Sequence, residues 1–178
     1  MFLPTTSEEL KKRGWRELDV ILITGDAYID SPHIGAAVIG RVLAGVGYRV
    51  GIIGQPDLTS DTDIKRLGEP RLFWGITGGC MDSMVANYTA IGKKRRSDDL
   101  TPGGLNNRRP DRACLAYANL IRRYFKSSCD CKQGLIDASA VQKIELIMKE
   151  LGLRVEDRPV VVHALERKEA CGHMASAI

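Results

Sequence analysis

The first strong apolar run, Leu18-Asp-Val-Ile-Leu-Ile-Thr24, is rich in β-branched residues, has no helical period and stops at Gly25-Asp26. That pattern predicts a fully buried strand. Residues 34–47 follow with Ile34, Val38, Ile39, Val42 and Leu43 on one stripe and a closing glycine, which predicts an amphipathic helix. A second buried strand is expected over 48–53 and a third over 72–77, with a short helix at 60–67 stopped by Gly68 and Pro70. Ahead of the first strand, Thr6 and Glu9 have the spacing of a capping box and predict a short helix to about Trp15.

Beyond the third strand, Met84, Val85, Tyr88 and Ile91 share a helical face, so 81–91 is expected to be a helix. Residues 92–109 are polar, basic and turn-rich, and predict a long loop. Pro110 suits the first turn of a helix running to about Phe125. A further helix is expected over 138–151 and a strand over 159–164. Alternating strands and helices argue for an α/β fold, an open, mostly parallel sheet with helices on both faces and right-handed crossovers. Such sheets bind ligands beyond the C-terminal ends of their strands. Two loops are therefore the candidate cofactor-binding region: one contributes Gly25, Asp26, Tyr28, Asp30 and His33, the other Gly78, Gly79, Asp82, Ser83 and Asn87.

The first loop feeds a helix N-terminus, whose unpaired N–H groups suit an anion. It contains neither the G-x-G-x-x-G nor the G-x-x-x-x-G-K-[ST] spacing, so no nucleotide is specified, and Asp30 or Ser31 acting only as a cap is the plain alternative. Asp30-Ser-Pro-His33-Ile-Gly35 resembles the signature by which some cobalamin-binding domains supply an axial histidine, but the spacing is one residue off on each side of His33. A corrinoid-like small molecule thus stays a candidate ligand only.

Composition narrows the class. The chain has 178 residues, 44% of them apolar and 27% charged, enough for one domain with its own core. No apolar run approaches the roughly 20 residues of a membrane span, and the N-terminus lacks a signal-peptide h-region, so no membrane association and a cytoplasmic location are expected. Five cysteines at irregular spacing, with Cys129-x-Cys131 the only close pair, are expected to be reduced thiols, and no metal site is predicted.

Net charge is +4, and it is concentrated: ten lysines and arginines lie between Lys93 and Lys126 against Asp98, Asp99 and Asp111. Lys93, Lys94, Arg95, Arg96, Arg108, Arg109 and Arg112 are candidates for contact with a polyanion or another domain. RNA binding is the alternative function this segment offers, weakened by the lack of an aromatic residue inside the loop. No nucleophile elbow, His-Glu-x-x-His helix or Cys-x-x-Cys pair occurs, and no catalytic residue is assigned.

Thr24-Gly-Asp-Ala-Tyr-Ile-Asp-Ser-Pro32, Gly54-Gln-Pro56, Gly78-Gly-Cys-Met-Asp-Ser-Met-Val85, Lys93-Lys-Arg-Arg-Ser-Asp-Asp99, Thr101-Pro-Gly-Gly104 and Arg108-Arg-Pro-Asp-Arg112 run in order along the chain. Together they resemble the N-terminal region of YgiQ-type radical S-adenosylmethionine proteins over about residues 1–126. The resemblance implies a Rossmann-like domain similar to cobalamin-binding domains, joined in full-length members to a radical SAM barrel with a [4Fe–4S] cluster and S-adenosylmethionine. In that barrel a Cys-x-x-x-Cys-x-x-Cys motif supplies three thiolates and leaves one iron for the cofactor. That motif does not occur here, so neither cluster nor cofactor is assigned to this chain, and catalysis by it alone is not expected. Past about Phe125 the family pattern fades, with only approximate matches at Gly134-Leu-Ile-Asp-Ala-Ser139 and 161–167. Residues 127–178 are read as a diverged segment adding a helix and a strand to the same sheet, in either a stand-alone domain or the front piece of an interrupted enzyme.

Overall fold

A computed structural model describes residues 2–125, all within one compact unit, Met1–Asp130. The expected helix at 138–151, the strand at 159–164, the 127–178 segment and Cys129, Cys131 and Cys171 lie outside the described residues.

The sheet has three parallel strands, β1 (Val20–Thr24), β2 (Val50–Gly54) and β3 (Phe73–Thr77), in the order β2-β1-β3. The register is in step, with Leu22 opposite both Ile52 and Gly75, and Ile21 opposite Gly51 and Trp74. Helix α1 (Ser7–Lys12) begins with the expected capping box, since Thr6 accepts from the Glu9 N–H and Glu9 accepts from the Thr6 N–H. The lead-in to α1 also covers the outer side of β2, where the Ile52 N–H donates to the Pro4 carbonyl at 3.0 Å.

Helix α2 (Gly35–Gly45) packs on β1 and β2, but only Ile34 and Leu43 of the predicted stripe are buried. Its buried residues are Ala36, Ala37, Gly40 and Leu43, while Val38 is exposed. The small residues let the helix approach the sheet, and a Cβ at Gly40 would strike the Leu3 side chain and touch Leu22 and Ile52. The opposite face carries Gly51 against Leu67, just past α3 (Thr62–Lys65), and Trp74 against Phe125, ring centroids 5.1 Å apart. Phe125 ends α5 (Ala113–Tyr124), so the two faces of the sheet are covered by α2 and by α3 with α5. This is the expected open α/β arrangement.

Helices α1 and α3 stop short of their expected ends at about Trp15 and at residue 67, and two further helices are shortened for reasons the structure shows. Helix α4 is only Ser83–Asn87, because Tyr88 is extended and Gly92, at φ +75°, turns the chain back so that Tyr88 bridges to Lys94. Its buried side is Ser83, Ala86 and Asn87, and Met84, Val85 and Ile91 face solvent, the reverse of the expected apolar face. Helix α5 starts three residues after Pro110 because the carbonyls of Arg109 and Asp111 accept hydrogen bonds from Asn87 and Ser83 instead of from the helix. No helix among the described residues is long and apolar enough to cross a membrane.

Candidate functional site at the C-terminal end of the sheet

In the strand order β2-β1-β3 the connections diverge between β1 and β3, and that switch point is where an open α/β sheet normally takes its ligand. The loops after these strands do meet there. The Gly25 N–H donates to the Thr77 carbonyl at 3.1 Å, and the Cys80 N–H donates to Asp26 Oδ2 at 2.6 Å. Glycine is required on both sides of the junction: a Cβ at Gly25 would collide with the Gly78 carbonyl, and one at Gly79, whose φ is +112°, with the Asp26 carboxylate.

The crevice is filled by the chain itself. Asp26 points inward, and Arg109 crosses from the long loop to meet it, both side chains at most 2% exposed. Arg109 Nη2 lies 2.6 Å from Asp26 Oδ1 and 3.0 Å from Asp98 Oδ2, while its Nε donates to the Gly25 carbonyl at 2.9 Å. Residues 98–101 form the other wall. Thr101 donates to Asp98 Oδ2 at 2.5 Å, the Leu100 carbonyl accepts from the Ala27 N–H at 2.8 Å, and Gln55 Nε2 bridges Thr101 Oγ1 and the Gly25 carbonyl at 2.6 and 2.9 Å. Gln55 reaches them from a left-handed backbone at φ 44°, which turns it sharply off the end of β2.

Burial works against ionisation of Asp98, but the Thr101 hydroxyl, the Leu100 N–H and the Arg109 guanidinium outweigh it and hold the carboxyl below its ordinary range. Burial, and Asp26 close by, push the Cys80 thiol up, away from the reactive thiolate form. One guanidinium between two carboxylates, each also hydrogen-bonded by the backbone, is the chemistry of a clasp. It ties 98–109 to the sheet.

The remaining predicted residues fall into separate groups. Tyr28 accepts from the Leu3 N–H, Asp30 pairs with Arg41 of α2, and His33 is exposed. Neither Asp30 nor Ser31 caps α2, whose N-terminus has no side-chain cap. Asp82 caps α4 through the Met84 N–H. Ser83 and Asn87 are buried and bind α4 to the start of α5: Ser83 Oγ donates to the Asp111 carbonyl and accepts from the Ala113 N–H, and Asn87 donates to Asp111 Oδ1. Gly78 lies against Cys114 of α5. Of the basic set, Lys93, Lys94, Arg95, Arg96, Arg108 and Arg112 are exposed. Arg109 must be removed from it, because its charge is spent in the core. Asp98, Thr101 and Gln55 are not among the candidate site residues, although each lies in a segment that carries the family resemblance: Gly54-Gln-Pro56, Lys93-Lys-Arg-Arg-Ser-Asp-Asp99 and Thr101-Pro-Gly-Gly104.

The geometry explains why the loop segments that carry the family resemblance stay together, and comparison with known proteins settles the family. Residues 2–142 match the model of the radical SAM N-terminal family. The chain belongs to that family. Among curated relatives, the UPF0313 protein of Thermotoga petrophila is 64% identical over 125 residues, which is 70% of this chain and 22% of the relative. The UPF0313 protein of Fusobacterium nucleatum is 57% identical over 127 residues, 71% of this chain and 22% of the relative. That of Pseudomonas aeruginosa is 54% identical over 124 residues, 70% of this chain and 17% of the relative. The chain thus spans about a fifth of the length of the curated relatives it matches. No solved structure matches. As for the cluster that the family name implies, the residues described here do not fit it. Cys80 and Cys114 stand on different elements, and no group of three or more potential ligands is gathered among the described residues.

Proposed function

We propose that this radical SAM N-terminal domain is the non-catalytic front module of a larger iron–sulfur protein, and that it contributes a contact surface to the part that holds the [4Fe–4S] cluster and S-adenosylmethionine. The observation that carries the reading is the filled switch point. Where an α/β domain would admit a ligand, the Arg109 guanidinium lies between Asp26 and Asp98, with Gln55 and Thr101 closing the side. That arrangement weighs against the small-molecule reading, since a corrinoid or other ligand would have to displace a buried ion pair.

Anaerobic reconstitution of the 178-residue chain with iron and sulfide tests the assignment. The expected result is no cluster absorbance and iron well below one per chain. About four irons per chain with a cluster band would overturn it.

A further inference from the structure

The long loop that supplies the clasp also sorts its charges. In sequence, residues 93–112 mix seven cations with Asp98, Asp99 and Asp111. In the fold, Asp98 is drawn inward to Thr101 and Arg109, and Asp111 is taken up by Asn87 and Tyr88, at 2.9 and 2.8 Å. What remains outside is Lys93, Lys94, Arg95, Arg96, Arg108 and Arg112, with Asp99 as the one exposed acid of the segment.

This face is held in shape. The Arg95 N–H donates to the Asn87 carbonyl, the Asn106 N–H to the Arg96 carbonyl, and the Asn106 side chain to the carbonyls of Asn87 and Arg95. Isolated bridges join Tyr88 to Lys94 and Ser97 to Leu105. Two apolar side chains stand out of it, Ile91 at the turn between Thr89 and Lys93, 87% exposed, and Leu105 opposite Ser97, 59% exposed.

The geometry points to this face, with Ile91 and Leu105 as apolar anchors and the six cations as its charged rim, as the docking surface for an acidic-rimmed protein surface on the remainder of the longer family polypeptide. The proposal rests on the module reading above and names the surface that reading requires. Apolar anchors within a charged, hydrogen-bonded setting are the anatomy of a protein interface, and a predominantly cationic rim, six cations of the segment against Asp99, selects a partner of the other sign. A single-stranded nucleic acid is the weaker fit, because the aromatic rings nearest the cations are engaged: Tyr88 donates to Asp111, and Tyr117 is buried. The matched relatives supply the occupant, since roughly four-fifths of their length lies outside the part this chain matches.

The test replaces the matching 125 residues of the Thermotoga petrophila protein with the corresponding residues of this chain, and compares amide exchange in that chimera with the 178-residue chain. Expected are exchange across 91–112 slowed about tenfold or more in the chimera, and zero-length carbodiimide cross-links from Lys93 or Lys94 to carboxylates beyond the domain. The combined change Lys93→Glu, Lys94→Glu, Arg96→Glu should abolish both, while shifting the melting temperature of the 178-residue chain by no more than about 2 °C. If the chimera does not fold, the native relative's segment aligned with 91–112 decides the matter by the same exchange comparison.

Protection confined to other parts of 2–125 would overturn this surface and leave the module reading standing. Protection nowhere would overturn both. Tight binding of a labelled homopolymer RNA by the 178-residue chain, lost in the triple variant and with no protection at 91–112, would replace the protein partner with a nucleic acid.

Discussion

Arg109 shows how misleading a charge can be when read by composition. It belongs to a basic run, yet its side chain is 1% exposed and satisfies Asp26, Asp98 and the Gly25 carbonyl at once. Its planar fork is what allows one cation to serve three acceptors, so lysine is no substitute. Arg109→Met would leave two buried carboxylates without a counter-charge, and a loss of about 3–5 kcal/mol in urea unfolding is expected. A loss below about 1 kcal/mol would mean that water reaches the carboxylates and that the clasp is not closed. Arg109→Lys should recover only a minor part of the loss. At Gly79 the constraint is spatial: alanine there meets both a φ of +112° and the Asp26 carboxylate, and a cost of about 1–3 kcal/mol is expected by the same measurement.

The sheet's entry side has its own fastening, which makes stability depend on pH. Asp19, just before β1, accepts from the Arg49 N–H, Nε and Nη2 at 2.8, 3.2 and 3.0 Å and lies 2.9 Å from Arg71 Nη2, tying together the approaches to β1, β2 and β3. Hydrogen bonds from the Arg49 side chain are the main cause that holds its carboxyl down at about 2, against the opposing effect of burial. Because the folded value lies below the unfolded one, the bound form stabilises the fold fully above about pH 4, and the contribution fades as pH falls toward 2. Asp19→Asn should therefore cost about 2 kcal/mol at pH 7 and flatten the fall in stability between pH 4 and 2. An unchanged acid slope in that variant would show that other carboxylates govern it.

At this same scale, much of the fold was legible. The three strands, the capping box of α1 and the approximate extents of α2 and α5 follow from period and turn residues. What was not legible depends on contacts made across the sequence. Helical period gave α4 an apolar face of Met84, Val85, Tyr88 and Ile91, but the core side is set by Asn87 and Ser83 bonding to residues 109–113. In α2, the larger apolar residues marked a stripe, whereas the close approach to β1 and β2 selects Ala36, Ala37 and Gly40. The loops at the C-terminal ends of the strands follow from the alternation of strands and helices, but Arg109, 83 positions from Asp26, reads as one of a basic run facing outward, and nothing local shows that it fills the space between them.

At the scale of the whole molecule, the described residues form a core of their own. One sheet face is covered by α2, the other by α3 and α5, and α5 ends with Phe125 against Trp74. The approaches to the strands are fastened by Asp19, the far ends by Arg109. The family likeness is of similar size to the unit Met1–Asp130: the family model matches 2–142, and the matches to the Thermotoga and Fusobacterium proteins cover 125 and 127 residues. A chain ending at Asp130 should therefore unfold as cooperatively as the 178-residue chain, with a melting temperature within about 4 °C of it, the equivalent of roughly 1 kcal/mol in a domain of this size. Calorimetry of the two side by side is the check. A broad or absent transition in the shorter chain would mean that residues beyond Asp130 complete the core, and would move the domain boundary toward the C-terminus.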